Sequence, residues 1–126
     1  MKIIKEIKTS TANISLLENG IIRVAILDNA HLEAKNLGDN YDVYVDIMEG
    51  EEAPFLIIVN ESSTISTEGR KEYNLKERKE VRKKDALVIK SPATMLLINS
   101  QVKFCKPIIP TQAFLDESSA IQWLTE

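Results

Sequence analysis

Two apolar runs near the N-terminus, Ile14 to Leu17 and Ile21 to Leu27, are separated by Glu18-Asn19-Gly20. Asn-Gly between β-branched runs predicts an antiparallel hairpin, because a type I′ turn needs positive φ at both central residues. Glu18 or Ile21 can be drawn into that turn. From Leu32 to Met48 the period changes. Leu37, Tyr41, Tyr44 and Met48 fall at i, i+4, i+7 and i+11, one face of a helix. Gly38 and Asn40 weaken its middle, and Gly50 suits its C-cap.

Phe55-Leu-Ile-Ile-Val59 is a short unbroken apolar run, the pattern of a strand buried on both faces. Asn60 to Thr64 is polar and predicts a loop. A charged helix is then expected from Thr67 to Lys84, bent near Asn74-Leu75, followed by a second buried strand at Ala86 to Lys90. Ser91-Pro92 opens another helix, with Ser as N-cap and Pro at the first helical position. It carries Met95, Leu96, Ile98, Val102 and Cys105 and stops before Pro107. The last strand lies within Ile108 to Leu115, at an edge or starting after Pro110. Asp116 caps a final helix, Glu117 to Thr125, with an inner stripe of Ala120, Ile121 and Leu124 beside Trp123. The order is ββαβαβαβα. Strands alternating with helices imply a mostly parallel sheet.

Composition narrows the chemistry. The 126 residues suit one domain, 1–126, and 44% hydrophobic with 28% charged is ordinary globular usage. One cysteine, Cys105, allows no intrachain disulfide and no multi-cysteine zinc site. One histidine, His31, leaves a single residue on which a catalytic pair could be built; a surface or capping role suits it better. Cys105 follows Phe104 on an apolar helix face, where a packed thiol is expected. There is no glycine-rich phosphate loop, nucleophile elbow or zinc spacing. These absences point away from an enzyme, a metal and a cofactor. The longest apolar runs fall far short of the ~18 residues of a membrane span, and no signal-peptide core precedes the hairpin. A cytoplasmic protein is expected.

The net charge of -3 argues against a nucleic-acid binder. It is uneven. Residues 68–85 hold 8 of the 16 basic residues and 5 of the 19 acidic ones, a balance of +3 against -6 elsewhere. A patch for an acidic partner is one reading. A solvated helix laced by Glu72-Lys76 and Glu80-Lys84 pairs is the plainer one.

Several strings and their order resemble the SpoIIAA-like (STAS-like) superfamily, which includes the Sec14 (CRAL-TRIO) lipid carriers. They are Leu17 to Ala25, Glu68-Gly-Arg-Lys-Glu-Tyr73, Ala86-Leu-Val-Ile-Lys-Ser-Pro92, and Phe114 to Leu124. The nearest resemblance is to small uncharacterised stand-alone bacterial members. It implies an α/β fold, a five-stranded mixed sheet whose first strand runs antiparallel, with helices packed around it. Anti-anti-sigma members of the superfamily bind a protein partner and are switched by phosphorylation of a Ser where the helix after the third strand begins. The motif there is Asp-Ser-Ser-Gly, and the matching stretch here is Thr67-Glu68-Gly69-Arg70, so the phosphoswitch is absent or degraded. Ser66 or Thr67 is the natural helix N-cap. Arg70, in the first helical turn, suits an anion or a salt bridge to a carboxylate such as Glu61.

The resemblance thus implies a non-catalytic regulatory or protein-interaction domain that uses Ser66, Thr67, Glu68, Gly69, Arg70 and Tyr73 to dock a partner or a second copy, as a homodimer. The alternative is a small apolar-ligand or lipid carrier of the Sec14 type, although 126 residues leave little room for a large cavity.

Overall fold

The structure is a computed structural model describing residues 2–73, 81–105 and 109–126. In chain order its elements are β1 (Ile3–Lys8), β2 (Ala12–Leu17), β3 (Ile22–Ile26), β4 (His31–Leu32), α1 (Ala34–Met48), β5 (Ala53–Ile58), β6 (Thr64–Ile65), α2 (Thr67–Tyr73), β7 (Arg82–Val88), α3 (Pro92–Cys105), β8 (Thr111–Phe114) and α4 (Glu117–Leu124). The main sheet runs β1-β2-β3-β5-β7-β8, and β4 pairs with β6 in a separate two-stranded parallel ribbon. β2 is antiparallel to both its neighbours, while β3, β5, β7 and β8 are mutually parallel. This is the expected α/β mixed sheet with a sixth strand added at its edge.

The added strand is β1. Its Ile, Lys and Glu side chains are nearly all exposed, so burial leaves no one-sided apolar stripe to detect. Its turn into β2 also lacks Gly and Pro. Instead the Thr9 hydroxyl accepts the Thr11 and Ala12 N–H groups at 3.3 and 3.1 Å.

The second hairpin turns differently from the type I′ expectation. Gly20 has φ 85°, but Asn19 stays out of the left-handed region. Gly20 N–H donates to Leu17 O at 2.9 Å, and Leu17 N–H to Ile21 O at 2.9 Å. Glu18 is therefore drawn in, giving a three-residue loop closed by a left-handed glycine.

α1 carries the expected face of Leu37, Tyr41, Tyr44 and Met48, joined by buried Asn40 and Ile47. It passes unbroken through Gly38 and Asn40. Glu33 N–H donates to Asn36 Oδ1 at 2.9 Å at its start, and Glu49 rather than Gly50 takes the left-handed cap position, φ 52°.

The larger correction concerns the charged helix. It does not extend to Lys84: Arg82, Lys83 and Lys84 are the first residues of β7. The expected bend at Asn74-Leu75 and the pairs Glu72-Lys76 and Glu80-Lys84 lie outside the described residues. β7 reads RKKDALV because only its second half packs as an ordinary apolar strand. In its first half the register against β5 slips, Ala53 pairing with Arg82 but Pro54 with Lys84. This bulge takes up one extra residue, and it sits where Pro54 cannot donate to the ladder.

The sheet has two distinct faces. On one, Ile14, Val24, Phe55 and Ile57 pack with Ile47 and the aromatic stripe of α1. On the other, Leu17, Ile21, Leu56, Ala86 and Val88 pack with Ala120 and Leu124 of α4. Asp116 caps α4 as expected, its Oδ1 accepting Ser119 N–H at 2.7 Å. β8 begins after Pro110 and is the edge strand, and α3 closes that edge. The Asn99 side chain accepts Ala113 N–H at 2.8 Å and donates to Ala113 O at 3.2 Å, so its amide substitutes for a further strand.

Candidate functional site

The inner face of the sheet is not filled. A hollow of about 300 Å³ lies between α1 and the strands. Val24, Ile26, Phe55, Ile57 and Leu87 form its floor, and Leu37, Tyr41 and Tyr44 of α1 form one wall. The β4–β6 ribbon supplies Leu32, Thr64 and Ile65 as the facing wall. The volume is about twice that of an engineered ~150 Å³ apolar cavity able to hold benzene.

Among the polar side chains in this lining are Asn40, Tyr44 and Arg82. Arg82 is 6% exposed and pairs with Asp85, which is 0% exposed. Residues three apart on a regular strand point to opposite faces; the bulge at Lys83 brings these two together. The guanidinium charge is therefore met inside the fold. Asn40, 2% exposed, donates from Nδ2 to Thr11 Oγ1 at 3.2 Å, while its Oδ1 has no hydrogen-bond partner among the described residues. Tyr44 stacks edge-on against Phe55, ring centroids 4.8 Å apart. Removal of its phenol from water, opposed by Arg82 and reinforced by Asp85, pushes the pKa far above the ordinary tyrosine value. The hydroxyl stays protonated at physiological pH.

The residues expected to form a docking site are distributed otherwise. Ser66 is the N-cap of α2: its Oγ accepts Gly69 N–H at 2.9 Å. Thr67, Glu68 and Arg70 are exposed around the first turns of that helix. Gly69 is buried for a packing reason, since a Cβ there would stand 2.6 Å from Leu32 O. It lets α2 lie against the β4–β6 ribbon. The side chain of Tyr73 lies outside the described residues. Asn60, Ser62 and Ser63 tie their own loop together: Ser62 Oγ accepts Asn29 N–H at 2.9 Å and donates to Asn60 Oδ1 at 2.9 Å.

The described part of the basic segment is also not one patch. Arg82 is buried, and Lys84 crosses to the opposite face, donating to Trp123 O at 3.0 Å with its ammonium 4.7 Å from the indole centroid. His31 links the ribbon, Nδ1 lying 2.6 Å from Thr64 Oγ1, and its Nε2 is 3.7 Å from Glu33 Oε1. No cluster of three or more potential metal ligands occurs among the described residues. None of their helices is long and apolar enough to cross a membrane. The Cys105 side chain lies outside the described residues, while its neighbour Phe104 is 88% exposed.

Sequence reasoning missed Thr11, Asn40, Arg82 and Asp85. Asn40 was legible only as a weak helix former. The available signal for Arg82 and Asp85 was Val81, a buried apolar residue just ahead of the strand and well before Ala86.

A search of solved structures finds the same fold in an uncharacterised protein of the DUF3478 family with a SpoIIAA-like fold from Shewanella loihica PV-4. The TM-score is 0.58 at 13% identity, covering 95% of this chain and 90% of that one. A protein of unknown function from Arthrobacter sp. FB24 matches at 18% identity over 94% of this chain and 96% of that one, but with a TM-score of 0.34, too low to inform the fold. Curated proteins provide no match. The fold is thus SpoIIAA-like. Residues 15–126 match the family model described as a domain of unknown function, DUF7793, and the chain belongs to that family.

Proposed function

We propose that this domain is a non-catalytic regulatory module of the cytoplasm that takes a small, largely apolar molecule into the hollow beneath α1. The observation carrying this reading is the apolar space of about 300 Å³, walled by aromatic residues and lined also by Asn40 and Arg82. An occupant would make packing contacts along the whole apolar lining. The volume is at the lower end for small-molecule sites and suits an occupant far smaller than a membrane lipid. This retains the carrier idea at a reduced scale. The regulatory output runs through α2, whose N-cap Ser66 directly follows Ile65 of the cavity wall. There the module meets a protein partner or a second copy of itself.

Native mass spectrometry of the protein purified from its own cells tests the first half. A stoichiometric adduct of low mass is expected, lost in Leu87→Phe, which fills the floor. Ligand-free protein, with no thermal-shift response to small apolar probes, would sink the reading.

A further inference from the structure

We infer that the outer face of α3 is a membrane-docking surface that lays Leu96, Leu97 and Phe104 into an anionic lipid bilayer. None of these residues lines the hollow, so the inference stands apart from the ligand-binding role.

α3 is apolar on two sides. Its inner side is Met95, Ile98, Asn99 and Val102, spaced i, i+3, i+4 and i+7 and half-buried, with Asn99 fastened to β8. Its outer side exposes Leu96 by 64%, Leu97 by 59% and Phe104 by 88%. At about 100° per residue, Leu97 and Phe104 fall almost in line, with Leu96 beside them. No other helix exposes a large apolar side chain among the described residues. A single exposed leucine is ordinary; three large apolar groups on one outward helix face mark a contact surface.

The occupant follows from charge. Residues 86–115 contain Lys90, Lys103 and Lys106 and no Asp or Glu, although the chain holds 19 acidic residues. Lys90 and Lys103 are both exposed, the first just before the helix and the second next to Phe104. The two carboxylates that follow the segment are engaged elsewhere: Asp116 caps α4 and Glu117 pairs with Arg23. An apolar face rimmed by lysines matches acyl chains beneath anionic headgroups, because the long lysine stems leave the ammonium groups at headgroup level. A second copy on this face would bring one lysine rim against another, which favours the bilayer. The helix has 14 residues, about 21 Å by its rise, so it lies along the surface and does not span it. Three apolar tips and a few lysines give reversible attachment.

The test floats the full chain on a density gradient with vesicles of equal parts phosphatidylglycerol and phosphatidylcholine, or of phosphatidylcholine alone. Binding to the anionic vesicles is expected, about tenfold weaker on the neutral ones, and falling as salt is raised. Phe104→Ser removes the most exposed apolar group and should weaken anionic-vesicle binding about tenfold. Arg70→Glu, on the exposed side of α2, should leave it unchanged. Absence of flotation with anionic vesicles, or equal flotation with both kinds, would overturn the inference. Loss of binding in Arg70→Glu but not in Phe104→Ser would move the contact to α2 and also overturn it. A concentration-dependent dimer in vesicle-free buffer, lost in Phe104→Ser, would assign the face to a second copy instead. The wild-type comparison of the two vesicles needs no variant, so poor folding of Phe104→Ser leaves the test decisive.

Discussion

The two faces of the sheet are built from the same kinds of apolar residue but close differently. The α4 face is sealed. Small residues, Ala86 and Ala120, let the helix approach closely, and both are 0% exposed. Polar groups then fasten its rim. Arg23 on β3 makes a two-pronged pair with Glu117 at 2.9 and 3.2 Å, and Lys84 reaches Trp123. The α1 face is held open. Bulky Tyr41 and Tyr44 stand where small residues would allow contact, and a buried polar group lies at each of Asn40 and Arg82. A surface packed to completion stabilises the fold; one left incomplete is where a ligand can be accommodated.

Breaking the buried ion pair beside the open face should produce the largest effect. Asp85→Ala removes the carboxylate paired with buried Arg82, and removal of one partner from a buried pair typically costs about 3–5 kcal/mol. A matching fall in the urea midpoint is expected. A loss below about 1 kcal/mol would mean that the pair is effectively hydrated.

Volume changes sharpen the contrast further. Ala120→Leu on the sealed face should destabilise by about 1–3 kcal/mol through overpacking. Leu87→Phe on the open face should be neutral or stabilise by up to about 1 kcal/mol, since it fills existing space. Thermal unfolding of the two variants checks this directly. Similar losses in both would show that the faces are equally tight.

The smallest effect concerns alkaline pH. Tyr44 has its folded-state pKa raised well above the unfolded value of about 10. Below pH 10 both states hold the proton, and its contribution is fully present. As pH rises above 10 the unfolded chain releases a proton that the folded chain keeps, so stability falls. The slope from this group is at most about 1.4 kcal/mol per pH unit. Tyr44→Phe should flatten the decline of the urea midpoint between pH 10 and 11. An unchanged slope would show that the phenol titrates normally.

Much of the fold was legible because local chemistry and tertiary packing agree. The stripe of Leu37, Tyr41, Tyr44 and Met48, the Ser91-Pro92 and Asp116 helix starts, and the apolar runs at Phe55 and Ala86 each carry a mechanism visible within a few residues. The Ser66 cap was legible for the same reason, since Ser66 Oγ reaches only three residues along to Gly69 N–H. β1 was not, because an exposed edge strand is defined by its partner rather than by its own alternation. The start of β7 was hidden for a related reason. A run of Arg and Lys favours a solvated helix locally, but pairing with β5 and Pro110 draws it into the sheet, with Asp85 N–H donating to Pro110 O at 2.9 Å.

By itself, the sequence determined the class of fold, the hairpin, the starts of the last two helices and the single histidine and single cysteine. These depend on residue type and short-range spacing. Only the tertiary structure decided that Asn40 of α1 and Arg82 of β7, each with its own partner in Thr11 and Asp85, line one apolar hollow. A cavity is a property of how faces fail to meet, and no local pattern along one strand or helix records that distance.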